Sequence, residues 1–188
     1  DSQFKEVLGK TSVFLDGERE RIRYEETNLG DHIADTMRGL TGADIALINA
    51  GSIRASIMKG PVTLENLFKM MPYENQLLTM KITGDELLKA LKRAVKSTRE
   101  EEDGGFLHVS GLKLVIQGTT LKSAECQGNP LRRKKEYTLA LTDFMAQGGD
   151  GYDVFKNKPT INTGMALRDG LINDLPKYNT LNPHTDGR

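Results

Sequence analysis

A chain of 188 residues has the length of one folded domain, with room for an appended arm but not for a second full domain. Its 26 Lys and Arg balance its 26 Asp and Glu, which excludes action through a global positive field, as in coating nucleic acid or an anionic membrane, but leaves a local basic site open. At 37% hydrophobic residues the chain is too apolar to be disordered, and with no Trp its core must be mainly aliphatic.

Residues 4–15 read as an extended arm broken by Gly9. Asn28 is placed to cap a helix whose Leu29, Ile33, Met37 and Leu40 share one face, with Asp31 in the first turn and Gly42 closing it. Residues 44–49 form a short buried strand, and 50–54 turn at its carboxyl end. A second helix spans 63–71 and stops at Pro72. A strand over 76–82 leads into Thr83-Gly-Asp-Glu86, a capping box for the most amphipathic helix, where Leu87, Leu88, Leu91, Ala94 and Val95 face inward and Lys89, Lys92, Arg93 and Lys96 form a solvated face. Residues 97–105 are an acidic, glycine-containing surface loop. Short strands follow over 107–110, 112–117 and 121–127, then a basic loop over 129–135, an apolar strand over 137–145 and a last helix over 165–175. Helices early and late around strands that helices do not all separate predict an α+β fold, a layered α/β/β/α sandwich with a mixed sheet.

Cys126, the only cysteine, permits no intrachain disulfide and no multi-cysteine zinc site. No apolar run is long enough for a membrane span. The three histidines, His32, His108 and His184, are dispersed and form no metal-ligand or catalytic motif, and there is no P-loop or nucleophile elbow. The parts on offer are binding parts. In Asn49-Ala-Gly-Ser-Ile-Arg54 a glycine beyond a strand end lets backbone approach a ligand, and Arg54 adds a fork suited to phosphate or carboxylate. In Phe144-Met-Ala-Gln-Gly-Gly-Asp-Gly-Tyr152 three glycines in four residues mark a demanding turn. Asp150 there either accepts vicinal hydroxyls, as of a ribose, or caps its own turn. In Met71-Pro-Tyr-Glu-Asn75, Tyr73 either offers its ring face to a planar base or packs on the core.

These segments, together with Glu26-Thr-Asn-Leu-Gly30, Thr63-Leu-Glu-Asn-Leu67 and Gly111-Leu-Lys113, resemble in order and spacing the C-terminal substrate-binding domain of the 5′-nucleotidase family, which includes bacterial UDP-sugar hydrolases, 2′,3′-cyclic phosphodiesterases and ecto-5′-nucleotidases. The resemblance covers nearly the whole chain. It implies a nucleotide site in which Tyr73 and Phe144 clamp the base and Asn49 and Asn75 bond base or ribose. Asp150, beside Gly149, accepts the ribose hydroxyls, and Arg19, Arg23 and Arg54 approach the phosphate. Glu74 stands where the family most often has glycine. The resemblance further implies that residues 1–15 connect to an N-terminal metallophosphoesterase domain of the same polypeptide, that 16–188 form the nucleotide-binding domain, and that two divalent metal ions belong to the other domain while this chain binds none. It implies a periplasmic, secreted or cell-surface hydrolase acting on nucleotides, with neither nucleic acid nor a membrane span as partner; the alternative is a non-catalytic nucleoside-binding or protein-interaction module on the same fold.

Overall fold

The computed structural model describes residues 2–188. In chain order the elements are β1 (Val7–Thr11), α1 (Arg19–Ile22), α2 (Asn28–Thr41), β2 (Ile45–Asn49), β3 (Gly60–Thr63), α3 (Leu64–Met70), β4 (Gln76–Thr83) and α4 (Gly84–Ala94). There follow β5 (Leu107–Ser110), β6 (Leu112–Gln117), β7 (Thr120–Cys126), β8 (Asn129–Pro130), β9 (Glu136–Thr142), α5 (Asp143–Ala146), β10 (Thr160–Ala166) and α6 (Leu167–Asp174).

A five-stranded sheet ordered β10-β4-β9-β2-β5 is the centre of the molecule. Only β2 and β9 run parallel, so the sheet is mixed, as the order of elements predicts. All five residues of β2 are buried because both faces of the sheet are covered. Successive strand residues point to opposite faces. Ala46 and Ile48 therefore join Ile33 and Met37 of α2 and Leu171 of α6 in one core. Ile45 and Leu47 join Leu87 and Leu91 of α4, with Ala124 and Cys126 of β7, in the other. The β6-β7-β8 sheet lies on this second side, and burial pushes the Cys126 thiol pKa up. Among the described residues no helix is long and apolar enough to cross a membrane.

Several local expectations change. Thr27, not Asn28, caps α2, its hydroxyl accepting from the Gly30 amide at 3.1 Å. The Asn28 side chain instead fastens the preceding loop, donating to Phe14 O at 2.8 Å and accepting from the Asp16 amide at 2.9 Å. The apolar strand stops at Thr142, whose side chain caps α5, so Phe144 lies on a helical turn. Strand β10 carries five exposed residues at its start and no apolar alternation, so the sequence pattern does not reveal it. Residues 7–11 of the expected arm pair with β3, and Phe4 meets the Phe68 ring edge-on; Asp1 lies outside the described residues. Arg93 does not belong to the solvated face of α4: it is half-buried and paired with Asp103, while Lys89, Lys92 and Lys96 are exposed.

Candidate functional site

Strand direction gathers the site. β2 and β9 end at the same edge of the sheet where the antiparallel β4 and β5 begin, since Asn49 pairs with Leu107 and Thr142 with Leu77. The turn after β2, the loop before β4, the loop before β5 and the segment after β9 therefore meet, and a cavity of about 410 Å³ lies among them. Its walls include Arg23, Asn49, Arg54, Tyr73, Asn75, Phe144 and Asp150, seven of the nine residues expected from sequence. Arg19 and Gly149 do not line it: Arg19 is exposed and pairs with Glu102, and Gly149 lies against the Phe144 ring.

Each wall residue is held by identifiable contacts. The Asn49 amide nitrogen donates to Asp150 Oδ2 at 2.7 Å while its oxygen accepts from the Ser52 hydroxyl, so one amide orientation satisfies both partners. Asp150 sits at φ 59°, the left-handed region, between Gly148 at 92° and Gly151 at 84°. Its carboxylate faces Asn49, and among the described residues no hydrogen bond joins it to its own turn.

Tyr73 and Phe144 are 47% and 40% exposed, so neither ring belongs to the core and both are open to a ligand. A Cβ at Gly149 would come within 2.5 Å of the Phe144 ring, which gives that glycine a steric reason. The Tyr73 loop is pinned at both ends. Arg168 Nη1 donates to Met71 O at 3.1 Å, the Leu167 amide donates to Asn75 O at 2.8 Å, and the Gln76 amide donates to Asp143 Oδ1 at 3.1 Å. Asp143 lies next to Phe144, so that last bond ties the two ring-bearing segments together.

Part of the wall is cationic, with Arg23 and Arg54 in it. Arg23 donates to Glu102 O at 3.0 Å, and Arg19 pairs with the Glu102 carboxylate at 2.6 Å. Burial first, then the charges of Arg19 and Arg54, pull the Arg23 pKa down; an anion between these side chains would relieve that repulsion.

Gly51, the glycine expected beyond the strand end, lines the cavity, whereas the sequence assigns no site role to Ser52 and Gly104 in the wall or to Arg93, Asp103 and Glu102 behind it. Ser52 lies within the Asn49–Arg54 segment. The others lie on a helix face and a loop whose acids and arginines pair only once the chain is folded.

A second polar cluster lies elsewhere. Glu26, Asp31 and Asp186 bring carboxylate oxygens within 4.8 Å of one another, a grouping able to hold a cation. Arg188 is already in it, 2.8 Å from Asp186 and 3.3 Å from Asp31, so a guanidinium supplies the counter-charge. Burial pushes the Asp31 carboxyl pKa up to about 9, helped by Glu26 and opposed by Arg188. Of these groups, Glu26, Asp31 and Arg188 border a separate cavity of about 290 Å³ with buried His108, sharing no wall residue with the first.

The fold and cavity define a layered α+β domain of the class that gathers ligands beyond the ends of its strands. Residues 7–157 match the family described as 5′-nucleotidase, C-terminal domain, and the chain belongs to that family. It is 31% identical over 181 residues to protein UshA of Yersinia enterocolitica, covering 96% of this chain and 32% of that protein. It is 35% identical over 164 residues to the trifunctional nucleotide phosphoesterase protein YfkN of Bacillus subtilis, covering 80% of this chain and 11% of that one. The crystal structure of the 5′-nucleotidase precursor from Thermus thermophilus superposes with a TM-score of 0.93 at 32% identity, covering all of this chain and 39% of that one. The chain thus spans about a third or less of the length of these curated relatives.

Proposed function

We propose that this chain recognises the base and ribose of a nucleotide for a metal-dependent 5′-nucleotidase-type phosphohydrolase. The observation that carries this reading is the convergence of two open rings, the Asn49–Asp150 pair and the arginines on one cavity. The cavity has the size of a nucleoside-scale ligand site. Tyr73 and Phe144 stack the base, Asn75 and Asn49 bond its edge or the ribose, and Asp150 accepts the ribose hydroxyls. Arg23 and Arg54, with Arg19 nearby, attract and orient the phosphate; being permanently protonated they cannot activate water.

The chemical step lies outside this chain. An N-terminal metallophosphoesterase domain of the same polypeptide, joined through residues 1–15, holds two divalent ions, and the enzyme works in the periplasm, in secreted form or at the cell surface. Such ions supply Lewis-acid polarisation of the ester and an activated water. The Glu26–Asp31–Asp186 group does not fit that task here, because Arg188 counter-charges it and it borders a different cavity from the nucleotide one.

Calorimetric titration of this chain with adenosine, AMP and free adenine tests the reading. Adenosine and AMP should both bind, with AMP tighter at low salt and adenine weaker than either. Absence of binding by all three would sink it. Hydrolysis of AMP by the full-length polypeptide separates the enzyme from a non-catalytic nucleoside-binding module.

A further inference from the structure

We propose that Arg93 and Asp103 are positioning residues for the ribose end of the site, Arg93 gripping the Asp150 turn from behind and Asp103 fixing Arg93. The assignment to ribose rests on the nucleotide reading above; the grip itself rests on geometry alone.

Arg93 stands in the last turn of α4. Its Nε donates to the Asp150 backbone carbonyl at 2.9 Å, and its Nη1 and Nη2 donate to the two Asp103 carboxylate oxygens at 2.8 and 3.0 Å. That is a two-pronged charge-assisted pair whose Nε–H is left to hold the ligand-binding turn. Asp103 is held in its own right, accepting from the Gly105 amide at 2.8 Å and from the Ser97 hydroxyl. These bonds, Arg93 foremost, hold its carboxyl pKa well below the usual carboxylate range, so the pair stays charged. With side chains only 22% and 27% exposed, solvent screens it less than a surface pair.

The contacts close a ring around the cavity wall. The Gly51 amide donates to Gly104 O at 2.8 Å and the Ala50 amide to Phe106 O at 2.7 Å, tying the 103–106 loop to the turn after β2. From that turn Asn49 reaches the Asp150 carboxylate, and Arg93 returns from the Asp150 carbonyl to Asp103. Tyr152 adds a brace, its hydroxyl donating to Gly105 O and its ring lying 5.6 Å from the Arg93 guanidinium carbon. Space for the guanidinium depends on missing side chains: a Cβ at Gly105 would overlap it, and one at Gly151 would come within 2.8 Å of Nε. Asp150 needs such support because a non-glycine residue in the left-handed region is strained and persists only when its surroundings impose it. Neither Arg93 nor Asp103 lines the cavity, so their effect on a ligand passes through Asp150.

The test uses Arg93→Ala, Arg93→Lys and Asp103→Asn. Affinities for adenosine and 2′,3′-dideoxyadenosine are measured by calorimetry, with amide hydrogen exchange of residues 148–152 in the free protein and thermal melts to confirm folding. Arg93→Ala should weaken adenosine about tenfold and dideoxyadenosine less than about twofold, the loss of one bond to a charged partner appearing only where the ribose hydroxyls are read. Arg93→Lys should recover part of the loss, because an ammonium can reach one acceptor but cannot make the fork. Exchange at 148–152 should quicken in Arg93→Ala and Asp103→Asn while the central sheet stays protected. Equal losses for both nucleosides in a folded variant would overturn the ribose-positioning role. Unchanged exchange at 148–152 would overturn the grip. A wild-type chain that binds neither nucleoside would instead defeat the nucleotide reading and the ribose assignment with it, and the exchange data would still decide whether Arg93 holds the turn.

Discussion

At the scale of single residues, the open rings are the sharpest feature. Tyr73 follows Pro72 on a loop pinned at Met71 and Asn75, and Phe144 is packed against a glycine that has no room for a Cβ. Removing either ring by Tyr73→Ala or Phe144→Ala should weaken adenosine binding by about 1–3 kcal/mol in calorimetry, with little change in melting temperature because both are surface-exposed. Asp150→Ala should erase the preference for adenosine over its dideoxy analogue; an equal loss for both would point to collapse of the turn. From sequence, Tyr73 was readable as core or as ring wall, and its 47% exposure decides for the wall. Asp150 was equally open, and the 2.7 Å bond from Asn49, 101 residues away, decides that its carboxylate faces the cavity.

At the scale of elements, local chemistry and tertiary environment divide the work. The Thr83–Glu86 box forms as read: the Thr83 hydroxyl accepts the Glu86 amide at 3.2 Å and the Glu86 carboxylate accepts the Thr83 amide at 3.0 Å. Thr83→Ala should therefore cost about 1 kcal/mol in a urea melt. Strand β5 carries a feature that only packing explains, the fully buried His108, whose Nε2 donates to the Ile22 carbonyl at 2.7 Å. Burial lowers its pKa from 6.5 to about 4, against the opposing pull of that carbonyl and of Glu26. The unfolded chain then binds a proton more readily than the folded one. The contribution is complete above pH 6.5 and is lost as pH falls toward 4, by roughly 3 kcal/mol in all. His108→Gln, which keeps a donor for Ile22, should flatten the fall in urea midpoint between pH 6.5 and 4; an unchanged slope would contradict the assignment.

At the scale of the molecule, residues far apart in sequence are fastened through Arg188. It bonds Asp186, Asp35 and the Val109 carbonyl and approaches Asp31, and its side chain is 16% exposed. Arg188→Ala removes these bonds together and should lower stability by about 1–2 kcal/mol at unchanged denaturant slope. For function, the 188-residue chain should bind nucleosides yet release no phosphate from AMP with Mn²⁺, Co²⁺ or Zn²⁺ added, since the arginines of its cavity position a phosphate but stay protonated and the Asp150 carboxylate is assigned to the ribose. Phosphate release that survives removal of contaminating phosphatases would put the catalytic centre in this domain.

What the sequence by itself determined was whatever depends on neighbours along the chain. The face of α4, the Thr83 box, the buried β2 and the glycine turn around Asp150 all follow from spacing and backbone preference, and an ordered set of short motifs pointed to the family. The folded structure alone decided what depends on neighbours across the sheet. Strand β10 is an edge strand that its own polar residues do not announce, and it exists because β4 offers it hydrogen bonds. Arg93 shares the spacing of exposed lysines and becomes a clamp only because Asp103 and the Asp150 carbonyl arrive beside it. The physical reason is range: propensities and caps act within a few residues, whereas ion pairs and cavity walls need the direction of strands β2, β4, β5 and β9 to bring four distant loops to one edge.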